Sequence, residues 1–191
     1  MGDLKWMRES GLEAAVKKAS KTTLVFGICG GYQMLGNTIE DPFHVEEGGS
    51  LRGMELLPVD TVLSPKKTRT QRSVLLKKVK GPLQELRDKE VSGYEIHMGV
   101  TKEGEKPADF LVSRGNVYGT YLHGIFDAKG IAPDLVRILA KRKGVICDTG
   151  RMLSYSEFKE TQYEKLAGIL REYLDMDFVY KIMGIERGDQ K

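Results

Sequence analysis

The stretch Thr23–Gly36, TLVFGICGGYQMLG, constrains this chain more than any other. Leu24-Val25-Phe26 is a short apolar run with the β-branched and aromatic content of a buried strand. Met34-Leu35 reads as the first apolar turn of a helix. Between them lies Gly27-Ile28-Cys29-Gly30-Gly31, a cysteine set among glycines. A strand that turns sharply into a helix pushes its corner residue towards strained backbone angles. Flanking glycines relieve the crowding and let a substrate approach the backbone. The layout is that of a nucleophile elbow, with Cys29 where the better-known hydrolase version has serine.

Cysteine suits such a corner. The start of the following helix presents unpaired N–H groups and the positive end of a dipole, which favour thiolate over thiol. The N–H of Gly30 points where a tetrahedral oxyanion would develop. The plain alternative is a small buried cysteine in a Gly-rich loop; the glycines on both sides favour the nucleophile.

A cysteine nucleophile needs an imidazole to take and return protons, and the chain has only three histidines, His44, His97 and His123. His44 lies in the loop sequence DPFHVEEGG. His97 sits in GYEIHMG, where strand alternation puts Tyr94, Ile96 and Met98 on one face and Glu95 and His97 on the other. His123 closes the apolar run Val117–Leu122 and is followed at once by Gly124. A base at a strand end, freed by glycine, can reach the elbow of a neighbouring strand. His123 is therefore the geometric favourite, with His97 next.

The rest of the chain supplies a scaffold of α/β type. Residues 3–10 and then Leu12, Ala15, Val16 and Ala19 have helical spacing, broken at Gly11. A helix leading into a buried strand leading into a helix predicts an α/β fold with parallel pairing of the elbow strand. Residues 37–53 read as loop. Strands are expected near Val59–Leu63, Val74–Val79, Ser92–Met98, Phe110–Ser113 and Val117–Tyr121, the last two joined by a tight turn at Gly115-Asn116. A helix follows Pro133. From Ser156 onward Leu166, Ile169, Leu170, Tyr173 and Leu174, continued by Phe178 and Ile182, form a stripe expected to face a core. Residues Gly188 to Lys191 are expected to fray.

Length and charge narrow the function. A chain of 191 residues fits one domain, 1–191, and 40% hydrophobic with 30% charged residues is ordinary globular composition. A net charge of +3 advertises neither nucleic acid nor an anionic membrane. Lys66, Lys67, Arg69, Arg72, Lys77, Lys78 and Lys80 form a basic cluster that reads as a solvated strand face. No apolar run is long enough for a membrane span, and MGDLKWMRES lacks a signal peptide's hydrophobic centre. Cys29 and Cys147 make no disulfide framework, and no Cys/His spacing suits zinc, so a reducing cytoplasm and no metal are expected.

GICGGYQMLG, GYEIHMG at 93–99 and GTYLHGIFD at 119–127 together resemble the glutamine amidotransferase domain of cobyric acid synthase, in the cobalamin-synthesis branch of the class I glutaminases. The resemblance runs from Asp3-Leu4 to the C-terminal helix with the motifs in family order. It implies a flavodoxin-like, mostly parallel sheet flanked by helices, with an antiparallel strand region in the middle of the chain. Carried over by motif, Cys29 matches the nucleophile, His123 the catalytic histidine, Gly30 an oxyanion-hole residue and Gln33 a residue that contacts substrate glutamine. The implied activity is hydrolysis of L-glutamine through a cysteine thioester, with ammonia passed to an ATP-dependent synthetase domain or subunit that amidates corrinoid carboxylates. The lipid II amidotransferase subunit has a like elbow and is an alternative.

The chain departs from the family pattern in two ways. Many class I relatives carry a glutamate two residues beyond the histidine; here that position is Ile125. Asp127 and Glu95 read first as surface or substrate-loop residues rather than as orienters of His123, and the third member is left open. No GxxxxGK[ST] occurs, so ATP and Mg belong to a synthetase outside this chain and no cofactor is expected within it. Met1-Gly2 stands where the resemblance places a loop that donates to the oxyanion, and the strands before it are expected to be absent. Losing one oxyanion donor costs about 10²–10³-fold in rate. An inactive truncated fragment or a docking module is thus the reading set against a glutaminase.

Overall fold

The computed structural model describes residues 1–148 and 153–185. The N-terminal helical pattern becomes α1 (Gly2–Glu9) and α2 (Leu12–Ala19), parted by Gly11, whose φ of 80° is the left-handed turn that breaks it. β1 (Val25–Ile28) follows, and α3 (Gly30–Leu35) opens directly after Cys29.

Residues 37–53 are not simply loop. They hold β2 (Thr38–Asp41) and β3 (Gly49–Arg52), an antiparallel pair. The turn between them is closed by the Asp41 carboxylate, which accepts N–H bonds from Val45 (2.8 Å), Glu46 (2.8 Å) and Gly48 (2.9 Å). A side chain that replaces backbone pairing in this way leaves no hydrophobic period to read.

β4 (Asp60–Leu75) runs unbroken where two shorter strands are expected, with a register shift against its partner between Val62 and Lys67. Leu76 and Val79 leave the strand but are buried, next to a 3-10 helix at Gly81–Leu86. β5 (Glu90–Glu103) pairs antiparallel with β4 along most of its length. That ladder holds Lys67, Arg69 and Arg72 extended although they are exposed. β6 (Lys106–Pro107), β7 (Leu111–Arg114), β8 (Val117–Thr120) and β9 (Leu122–His123) complete the strands. β7 and β8 form the expected hairpin, with Gly115 at φ 61° in its turn.

The strands form two sheets, β1-β8-β7 and β3-β2-β4-β5-β6, with β9 added to β5. Among the described residues, parallel pairing is confined to β1·β8 and β2·β4. The α/β class is as expected, but the sheets are mixed rather than mostly parallel, because hairpins supply most of the neighbours.

Alternation along the three-stranded sheet builds a core on each face. Phe26, Ile28, Leu111 and Tyr118 pack with Leu83, Leu86 and the α4 (Ile131–Lys143) residues Ile131 and Ile138. Val25, Val112 and Val117 pack with Leu4 of α1 and Tyr32 and Leu35 of α3. β1 is the edge strand of this sheet, so Val25, Phe26 and Ile28 are half-buried where the apolar run predicts full burial.

The sequence reading expects one domain over 1–191; the chain divides into two compact units, Met1–Arg151 and Met152–Lys191. In the second, α5 (Tyr155–Tyr173) starts at a capping box, Glu157 N–H donating to Ser154 Oγ at 3.2 Å and Ser154 N–H to Glu157 Oε2 at 2.7 Å. α6 (Met176–Ile182) is capped by Asp175. The stripe Leu166, Ile169, Leu170, Tyr173, Leu174, Phe178 and Ile182 is exposed rather than core-facing, since the two helices of this unit bury no residue between them. Gly188 to Lys191 lie outside the described residues. No described helix is long and apolar enough to cross a membrane.

Candidate active site

The site is built on two facing glycines. β1 and β8 run parallel with Gly27 opposite Gly119 and Ile28 opposite Thr120. A Cβ on Gly27 would lie 2.8 Å from the Gly31 carbonyl, and one on Gly119 would lie 2.1 Å from the Tyr32 ring. The bare pair therefore lets α3 sit directly on the sheet. That close seat forces the corner: Cys29 has φ 55° and ψ −116°, a conformation costing an L-residue about 1–3 kcal/mol. Two hydrogen bonds hold it there, Cys29 N–H to Thr120 O at 3.0 Å and Gln33 N–H to Cys29 O at 3.1 Å.

The Cys29 thiol is half-buried and lies 3.5 Å from the Ile96 carbonyl on β5, to which it donates. Burial pushes its pKa above the ordinary thiol value, and the opposing hydrogen bond from the Gly30 N–H is the smaller effect. Burial thus works against the thiolate expected at this corner, and a six-residue helix presents only a weak dipole to oppose it.

Cys29 follows the end of β1, and the parallel neighbour β8 ends at Thr120, the partner of Ile28, three residues before His123 in β9. β9 carries it onto β5, with Tyr94 opposite His123 and Glu95 opposite Leu122. The Tyr94 and His123 rings are stacked, 5.0 Å between centroids and 5° from parallel. His123 Nε2 is buried and has no hydrogen-bond partner among the described residues.

His97 belongs to a different arrangement. It lies with Glu95 on the other face of β5, Nε2 to carboxylate 3.9 Å, and Glu95 in turn faces Arg72 at 3.6 Å. Burial lowers the His97 pKa, and so does the nearby His123; Glu95 and the Gly99 backbone oppose them. Its ring stacks on Tyr121 with centroids 3.7 Å apart. His44 sits exposed in the Asp41 turn with φ 52°, outside this cluster. Of the two carboxylates considered as orienters, Glu95 faces Arg72 and His97 as above, and Asp127 sits in the Gly124 turn, where its backbone N–H donates to the Gly124 carbonyl at 2.9 Å.

Gln33 is buried, and its amide nitrogen donates to Met98 O and to the Tyr121 hydroxyl, both at 3.1 Å. Tyr121 also bonds Thr101, which bonds Thr61 at 2.8 Å. Sequence reasoning missed Tyr121 and Tyr94, although each lies inside a motif, two residues before His123 and three before His97. Tyr32, Arg72, Glu95, His97, Thr101 and Tyr121 line a cleft of about 530 Å³.

Residues 1–131 match the model of the CobB/CobQ-like glutamine amidotransferase domain. The chain belongs to that family. The amidotransferase domain is 48% identical over 204 residues to a cobyric acid synthase of Lachnoclostridium phytofermentans, covering 95% of this chain and 40% of the relative. It is 45% identical over 210 residues to that of Ruminiclostridium cellulolyticum, covering 100% of this chain and 41% of the relative. Against that of Clostridium acetobutylicum it is 40% identical, covering 97% and 39%. The domain thus spans about two fifths of the length of these curated relatives. A crystal structure of a glutamine amidotransferase superposes with a TM-score of 0.43 at 18% identity, covering 74% of this chain and 73% of that one.

Proposed function

We propose that this chain is the glutaminase module of a cobyric acid synthase, acting in the cytoplasm. It releases ammonia from L-glutamine for a synthetase partner that uses ATP and Mg to amidate corrinoid carboxylates. The observation that carries this reading is the strained Cys29 corner at the end of β1, beside the strand that leads into His123. In the reaction Cys29 passes its proton to His123, and the thiolate attacks the side-chain amide carbon of glutamine. The oxyanion is held by backbone N–H groups, Gly30 among them, while Gln33 contacts the bound substrate. The carbon–nitrogen bond breaks, the leaving nitrogen takes the proton from His123, and ammonia departs from a glutamyl thioester. Water then gives a proton to His123 and attacks the thioester; glutamate leaves and Cys29 regains its proton. Since burial favours the thiol at rest, the thiolate forms by this transfer once substrate is in place.

The test is ammonia release from the folded chain, alone and with a cobyric acid synthase synthetase domain added. Cys29→Ser and His123→Asn should each lower the rate at least about 10³-fold, and a glutamine-mimicking electrophile should label the wild type but not Cys29→Ser. The single-neighbour position of β1 in its sheet favours a second reading, a non-catalytic docking module. Absence of ammonia release in both settings would establish that reading in place of the first.

A further inference from the structure

We propose that Tyr94 is the positioning residue for His123, holding its imidazole by ring stacking in the place usually taken by a carboxylate. The proposal rests on the glutaminase reading for the role of His123 but on its own geometry for the contact. A histidine that moves protons between a nucleophile and a leaving group must keep one ring orientation through both steps. Here the residue two beyond it, Ile125, is buried in the apolar core. Glu95 is turned to Arg72 and His97 on the far face of β5.

What does meet the His123 ring is Tyr94. The two are directly opposed in the antiparallel β5·β9 pair, so their side chains leave the same face of the ladder. The rings lie 5.0 Å apart and 5° from parallel, which restrains rotation of the imidazole. The residue before Tyr94 serves the same end. A Cβ on Gly93 would sit 2.0 Å from the His123 carbonyl, so only a bare residue lets β9 close onto β5 and bring the rings together. Gly124, at φ 79°, then turns the chain away. The aromatic face also attracts the imidazolium that forms in mid-reaction. Tyr94 is half exposed, so the fold does not depend on it for its core. The GY of GYEIHMG thereby acts on the histidine of the later motif.

The test compares wild type, Tyr94→Phe and Tyr94→Leu in the full chain, with the synthetase domain present if ammonia release requires it. Tyr94→Phe keeps the stack and should stay within about twofold of wild type. Tyr94→Leu should lose about ten- to a hundredfold in kcat with little change in KM for glutamine or in Tm, the size expected of a misplaced catalytic group. In NMR spectra of histidine-labelled chain, the His123 ring protons should show the stacked ring's shift in wild type and Tyr94→Phe and lose it in Tyr94→Leu. Equal kcat in Leu and Phe variants, or unmoved His123 resonances, would overturn the proposal. Ammonia release that survives Cys29→Ser and His123→Asn would instead sink the glutaminase reading, and the resonances would still decide whether Tyr94 holds the ring.

Discussion

At Cys29 the backbone carries strain that its neighbours over-determine. The φ of 55° and ψ of −116° suit glycine, yet the nucleophile proposed for this chain needs a thiol there. Stability and activity therefore oppose one another at this residue. Cys29→Gly should relieve about 1–3 kcal/mol of strain and return about 0.4–1 kcal/mol as added freedom of the unfolded chain. Cys29→Ala keeps the Cβ and the strain. Chemical denaturation should accordingly find Cys29→Gly more stable than Cys29→Ala by about 1 kcal/mol. Equal midpoints would mean that the corner relaxes when the thiol is gone. The identity of the corner residue was legible in the sequence because glycines bracket it. The partners of the site were not: the stacks of Tyr94 on His123 and Tyr121 on His97 join residues brought together by strand pairing and packing, and local spacing does not report them.

Among the elements, the seat of α3 on β1 and β8 is set by close approach rather than by hydrophobic area. Gly119→Ala would drive a methyl into the Tyr32 ring and Leu57 Cδ1, at 2.1 and 2.7 Å, and overpacking of this kind costs about 1–3 kcal/mol. Because the same seat holds the Cys29 corner, the proposed glutaminase activity should fall with stability. Gly30→Ala is the control: its Cβ meets nothing within 4 Å, and stability should move by no more than about 0.5 kcal/mol. Thermal melts of the two variants check the contrast; a neutral Gly119→Ala would show that α3 can lift without cost. The elbow and the β7–β8 hairpin could be read in advance because glycine spacing and turn residues are local. β2 and β3 could not, since Asp41 closes their turn from a side chain. The length of β4 was hidden too, because the β5 ladder keeps a basic, exposed segment extended.

Across the whole molecule, the buried titratable groups set the direction of acid sensitivity. His97 has its pKa lowered by burial, so the unfolded chain takes up a proton near pH 6.5 that the folded chain refuses. Its contribution to stability is full above about pH 6.5 and is lost as pH falls from there through the lower folded value. Asp41 has its carboxyl held low: desolvation works against this, but the N–H bonds from Glu46, Val45 and Gly48 prevail. Glu13, bonded first by Arg8 and then by Lys17, is lowered likewise. These carboxylates add stability that is present above about pH 4 and lost as pH falls through their folded values. The chain should therefore lose stability on acidification in two windows, one below about 6.5 and one below about 4. His97→Phe, which can keep the stack on Tyr121 without a proton site, should flatten the upper window and leave the lower one. Asp41→Asn should keep the upper window and shrink the lower one to the share that Glu13 retains. Tm measured from pH 7.5 to 3.5 separates the two. An upper window that persists in His97→Phe would place the acid-sensitive proton site elsewhere.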